Sequence, residues 1–241
     1  MTPSHETPKD TFPPTQWSLV QTAEKPKALE QLCQTYWSPI YSFLRATGHA
    51  PADAEDLTQS FFADLIHHGG LSRANKDQGK LRFFLLGALK RHLSAVHRHQ
   101  SRQKRGGNVD HLPLALSESD FADAEHQYAS QPVDELTPDL LFERRWVLDL
   151  LQRSQQRLRS DYERSGKLKE YDLLKGAALN SDPIDHPAVA KALGVKEASL
   201  RVLIHRMRKN LRAAFKDEIA DTVTDRSELD EEYQRLLQIF S

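Results

Sequence analysis

The sequence predicts an all-α protein built as two small helical domains joined by a flexible linker. Three observations carry that expectation. Apolar residues recur at three- and four-residue spacing in each periodic stretch, and no run alternates with the two-residue period of a strand. Glycine- and proline-bearing breaks separate the stretches, and no internal repeat is visible. A hydrophobic share of 39% against a charged share of 28%, over 241 residues, suits thin helical cores better than one thick α/β core.

Taken in order, residues 1–14 (MTPSHETPKDTFPP) hold four of the twelve prolines and almost no apolar content, which predicts a disordered tail. Residues 15–46 place Leu29, Leu32, Cys33, Tyr36, Ile40, Phe43 and Leu44 on one helical face, with Pro39 marking a kink or a junction of two helices. A helix starts near Ala52, with Asp53, Glu55 and Asp56 in its first turn and Leu57, Phe61, Phe62 and Leu65 facing inward. The polar loop 67–79 follows, with three glycines. A basic helix or helix pair then runs from Lys80, with an apolar stripe of Phe84, Leu85, Ala88, Leu89 and Leu93, and ends at Gly106-Gly107.

Residues 108–138 carry acids, small residues and three prolines and read as an interdomain linker with one short helix near 118–128. The helical pattern returns from Asp139 through Leu140, Leu141, Trp146, Val147, Leu150, Leu151 and Leu158, breaks at Gly166, and resumes over 171–179. Two helices joined at Gly194 fill 187–215, and an acidic amphipathic helix closes the chain at 228–240. The expected layout is thus a tail at 1–14, a domain at 15–107, an acidic linker at 108–138, a second domain at 139–216 and an acidic C-terminal extension at 217–241.

Charge is strongly segregated. Residues 80–107 hold eight Lys and Arg and no acid, and residues 196–216 hold seven against Glu197 alone. Between them, residues 109–143 carry nine acids and no Lys or Arg. Two concentrations of positive charge are built to touch a polyanion twice, so the net charge of −1 conceals a nucleic-acid binder with two contact modules.

The sharpest local signal is residues 186–212, HPAVAKALGVKEASLRVLIHRMRKNLR. A helix-turn-helix needs a small residue where the helices cross, a turn residue tolerant of positive φ, and apolar residues that lock the pair. Ala190, Gly194, and the set Val189, Leu193, Val195, Leu200, Ile204 and Met207 meet those needs. Ser199, Arg201, Val202, His205, Arg206 and Lys209 then fall on the outward face of the second helix, where Arg can read guanine edges or hold phosphate. In the first module, basic and aromatic residues interleave over Lys80, Arg82, Phe83 and Phe84, a pattern able to hold unstacked single-stranded bases.

Other classes find little support. Cys33 is the single cysteine, which excludes an intramolecular disulfide and a Cys-based zinc cluster. For His67, His68, His92, His97 and His99, neither an HExxH spacing nor a nearby acid partner supports a metal site. Gly79-Lys80 is followed by Leu81 rather than the Ser or Thr of a phosphate loop, and Asp53 with Asp56 reads as helix-start acids. No catalytic constellation, metal or cofactor is expected, so the chain is not read as an enzyme. No apolar run reaches membrane-spanning length and no basic start precedes an apolar segment at the N-terminus, which points to the cytoplasm.

Across residues 16–222 the sequence resembles the extracytoplasmic-function type of bacterial RNA polymerase sigma factor, in a divergent subgroup of the sigma-70 family. AEDLTQSFFADL (residues 54–65) is similar to the family's polymerase-binding helix, residues 80–107 to the segment that melts and reads the minus-ten element, and the helix-turn-helix to the reader of the minus-thirty-five element. The resemblance implies that Asp56, Gln59 and Phe62 face the β′ clamp helices. It also implies that the loop 68–79 captures a flipped base, and that Lys80, Arg82, Lys90 and Arg91 lie along the melted strand, with Arg98 continuing that basic face. Arg201, Val202, His205 and Arg206 match the positions that enter the major groove.

Core RNA polymerase (through its β′ clamp helices and β flap) and promoter DNA would be the partners, with room for an anti-sigma factor or other regulator. Phe84 stands where the family's usual Trp would be, Arg91 where an Asn is usual, and the common Leu-Pro-x-x-x-Arg before the helix-turn-helix is missing. The alternative is a helix-turn-helix transcriptional regulator that never joins polymerase. The acidic linker and extension read either as solvated connectors or as segments that fold over the basic surfaces and restrain DNA binding.

Overall fold

The computed structural model describes residues 26–74, 79–102, 118–130, 136–179, 185–223 and 225–240. The expected tail at 1–14, the helix end at Gly106-Gly107 and part of the loop before Lys80 lie outside the described residues. Those described form nine α-helices and two short 3-10 turns, with no strand among them. The all-α class is thereby observed.

Helix α1, Pro26–Ala46, buries Leu32, Cys33, Tyr36, Trp37, Ile40, Tyr41, Phe43 and Leu44. It runs through Pro39 as one helix, where the sequence suggested a kink or junction. A proline inside a helix removes one backbone hydrogen bond, but Tyr36 and Ile40 on either side are 1% and 0% exposed, and their burial supports the continuous helix. Burial also pushes the Cys33 thiol up to about 12, which leaves it inert.

Helix α2, Pro51–His67, opens with a proline in its first turn and buries Ala54, Thr58, Phe61, Phe62, Ala63 and Leu65. Helix α3, Leu81–Arg102, buries Leu81, Arg82, Leu85, Leu86 and Leu89, while Phe84, Ala88 and Leu93 of the expected stripe pack half-buried against the same cluster. Helix α4, Glu118–Ala129, falls within the expected flexible linker yet is docked. Ala124 and Tyr128 are buried, and Glu125 accepts from Arg45 Nε and Nη2 at 2.8 and 2.9 Å and from the Tyr41 hydroxyl at 2.6 Å.

The remaining helices are α5, Pro138–Arg164; α6, Leu168–Leu179; α7, His186–Leu193; α8, Glu197–Ala220; and α9, Leu229–Gln238. Thr137 caps α5 by accepting from the Leu140 amide. At 27 residues, α5 is about 40 Å long and passes between two apolar clusters. Phe142, Trp146, Val147 and Leu150 join the large cluster of α1, α2 and α3, while Leu158 and Tyr162 join a smaller one with α6, α7 and α8. Helix α8 spans the same two clusters in the opposite sense: Leu200, Ile204 and Met207 enter the small cluster, Phe215 and Ile219 the large one. Helix α9 returns to the large cluster through Leu236. Thus residues from beyond position 138 help build the core that contains the N-terminal helices.

Candidate nucleic-acid interface

The helix-turn-helix is assembled by local chemistry. Asp185 accepts the Ala188 amide at 3.1 Å and caps α7. Gly194 takes φ +67 at its end, a left-handed conformation that glycine adopts without steric cost. The Val195 amide then donates to the Ala190 carbonyl at 3.0 Å and closes the turn. Ala190 is 3% exposed at the crossing, and Leu200, Ile204 and Met207 seal the pair against Leu174, Ala177 and Ala178 of α6. The Arg208 guanidinium donates to the Ala177 carbonyl at 2.7 Å and ties α8 to α6.

That packing leaves Ser199, Arg201, Val202, His205, Arg206 and Lys209 all exposed, as the spacing implied. Val202 is 65% exposed, and its methyl groups make a suitable contact for a thymine methyl. Arg206 reaches sideways to Glu170 of α6 at 3.0 Å. With nearly half of its side chain in solvent, such a pair is weak and leaves the guanidinium recruitable.

On α3 the expected strand-contacting residues split. Lys90, Arg91 and Arg98 are exposed, with Lys90 donating to Asp139 at 2.6 Å across the surface. Arg82 is not on the surface: it is 1% exposed. Its guanidinium lies over the Trp146 ring at 4.4 Å and over Phe83 at 4.6 Å, and pairs with Glu232 of α9. Lys80 donates to the other oxygen of the same carboxylate. Glu232 is itself 1% exposed. Burial would raise its pKa, but Arg82 and Lys80 hold it below the ordinary carboxylate value. Burial lowers the Arg82 pKa, opposed chiefly by Glu232.

Arg235 completes the group. It donates to both Glu143 oxygens, at 2.7 and 3.0 Å, and its guanidinium sits over the Phe83 ring at 5.0 Å. The position of Arg82 corrects the expectation that it lies free beside a nucleic-acid strand. The physical reason is register, since Arg82 falls between Leu81 and Leu85 on the inward side of α3 and brings its counter-ion with it.

The polymerase-facing triplet also divides. Asp56 is exposed and Gln59 half-buried, but Phe62 is 0% exposed and stacked on Trp37 with ring centroids 6.1 Å apart. Phe62 therefore builds the core here, since it shares the inward face with Thr58 and Leu65.

Among the histidines, His92 does find an acid that sequence proximity could not supply: Asp64 Oδ2 lies 2.6 Å from its Nδ1, and Ser60 Oγ 3.1 Å from its Nε2. Among the described residues no group of three or more His, Cys, Asp or Glu is placed to hold a metal ion. An open cleft of about 350 Å³ between α5 and α8 is lined by Arg157, Asp161, Tyr162, Lys167, Arg206 and Asn210, with charges of both signs.

Glu143, Glu232 and Arg235 were not expected among the functional residues. Their signal was faintly present: Leu229, Glu232, Tyr233 and Leu236 share one helical face, so an inward-facing carboxylate at 232 required a buried cation. No family model matches this chain, and comparison with curated proteins and with solved structures found no match.

Proposed function

We propose that this protein is a transcription-initiation factor of the sigma type, which joins core RNA polymerase and recognises promoter DNA. The observation that carries the reading is the six-residue face of α8, exposed on a closed helix-turn-helix, together with an acid-free basic helix, α3, whose Lys90, Arg91 and Arg98 face solvent. In this reading Arg201, Val202, His205 and Arg206 enter the major groove at the upstream element, while Ser199 and Lys209 hold the backbone. Lys90, Arg91 and Arg98 track the melted downstream strand. Asp56 and Gln59 offer polar contacts to the β′ clamp helices, and the C-terminal unit meets the β flap. The chain contributes recognition and strand capture, and bond formation belongs to the polymerase.

Run-off transcription with purified core polymerase and a library of upstream regions tests the reading. Discrete starts that vanish with Asp56→Arg are expected. The burial of Phe62 favours a second reading, a DNA-binding regulator that does not join polymerase, because it withdraws one of three expected polymerase contacts. Specific retention of duplex DNA with no transcript in the same assay would select it.

A further inference from the structure

We infer that α9 is a built-in mimic of a single-stranded nucleotide, seated on the start of α3, with Glu232 in the place of a phosphate and Arg235 in the place of a base. The inference rests on the reading of α3 as a strand-binding helix. Two separate contacts carry it. The first is ionic: one buried carboxylate takes both Lys80 and Arg82, the cations that open the basic segment. The second is a cation–π contact: the Arg235 guanidinium lies over Phe83, an aromatic ring that is 42% exposed at the mouth of the same site. A cation pair beside a solvent-facing aromatic is the arrangement that holds an unstacked nucleotide, phosphate on the cations and base on the ring.

The closed arrangement is also imperfectly satisfied. Arg82 Nε and Arg235 Nη1 are buried with no hydrogen-bond partner, lying 3.8 Å from Glu143 and 3.7 Å from Glu232. Unmet buried donors weaken the docked state and favour exchange for a richer acceptor such as a phosphate. Helix α9 is short, ten residues, and its deepest apolar anchor is Leu236, so it can leave without dismantling α1 to α3. Lys80 and Arg82 are therefore strand-contacting residues held in reserve, and affinity for single strands rises when α9 departs.

The test uses the full chain and a fluorescent single-stranded DNA oligonucleotide of mixed sequence. Glu232→Gln removes the phosphate mimic, and Leu236→Asp evicts α9 by a different contact while keeping Glu232. Both variants should bind the strand more tightly than the parent. Two recovered cation contacts make the salt dependence steeper by ~1.4 logarithmic units, or a further loss of ~sevenfold between ~50 and ~200 mM salt. Adding Lys80→Gln to Glu232→Gln should take back about half of the extra slope.

Unchanged or weaker binding in both variants, with helical circular dichroism intact, overturns the mimic. So does a gain that Lys80→Gln fails to reduce. The outcome separates from the sigma reading. A gain in strand binding without any polymerase-dependent transcript keeps the mimic and removes the sigma assignment. Transcription by the parent protein with no gain in either variant does the reverse.

Discussion

Leu200→Ala tests whether the two apolar clusters behave as one cooperative unit. Leu200 is 0% exposed in the small cluster, whereas Trp37 and Trp146 lie in the large one. Truncation removes three carbons, about 2.4 kcal/mol of transfer free energy at ~0.8 kcal/mol each. The cavity left behind brings the expected loss to about 3–4 kcal/mol. For a chain of this size each kcal/mol moves the melting temperature by ~2–4 °C, so a fall of ~10 °C follows.

Because α5 and α8 each contribute to both clusters, the loss should reach the tryptophans although neither is in the cluster with Leu200. The assay is thermal unfolding followed by far-UV circular dichroism and by tryptophan fluorescence, in a Trp17→Phe background so that only Trp37 and Trp146 report. Coincident transitions, both lowered by ~10 °C, are expected. A biphasic circular dichroism curve with an unmoved fluorescence transition would refute the coupling and restore two independent domains.

Three further expectations follow from the geometry. If the protein reads promoter DNA as proposed, Arg201→Ala or Arg206→Ala should cost ~1–3 kcal/mol of discrimination at the upstream element, read by fluorescence anisotropy on matched and mismatched duplexes; equal loss on all sequences would show that the residue holds phosphate. Asp221, at the C-terminal end of α8, has its pKa raised to about 6 by burial and then by Glu218. A raised carboxylate penalises the fold above that value and not below its unfolded value near 4. Asp221→Asn should thus stabilise the protein by ~1 kcal/mol at pH 7, after allowing for solvent screening, and leave it unchanged near pH 4 in urea titrations. Glu125 has its pKa lowered by the Arg45 hydrogen bonds, so the docking of α4 is strongest above the ordinary glutamate value and weakens as the pH falls through the folded one; Glu125→Gln should speed amide hydrogen exchange across α4 at neutral pH by ~10-fold, and equal rates would show that the Arg45 contact contributes nothing.

Helical periodicity sufficed for the elements whose register is set by their own side chains. The spacing of Leu200, Ile204 and Met207 places α8 against α7, and Gly194 supplies the turn, because both are local requirements of backbone and packing. The outward set Ser199 to Lys209 follows by subtraction, as the residues that a closed helix pair cannot bury. The short helix expected near 118–128 is present as α4, Glu118–Ala129, although the acids and prolines around it read as a linker.

What remained hidden depends on partners distant in the chain. Arg82 and Lys80 read as free cations because their counter-ion, Glu232, stands 150 residues further along. Phe62 could face inward or outward until Trp37 offered it a ring, and α4 was a linker until Arg45 and Tyr41 took hold of Glu125. Periodicity assigns a side chain to a face of its own helix; which charge or ring meets that face is a property of the assembled chain. Burial of a charge is favourable only once its partner arrives, so tertiary structure alone selects which of the basic residues stay at the surface.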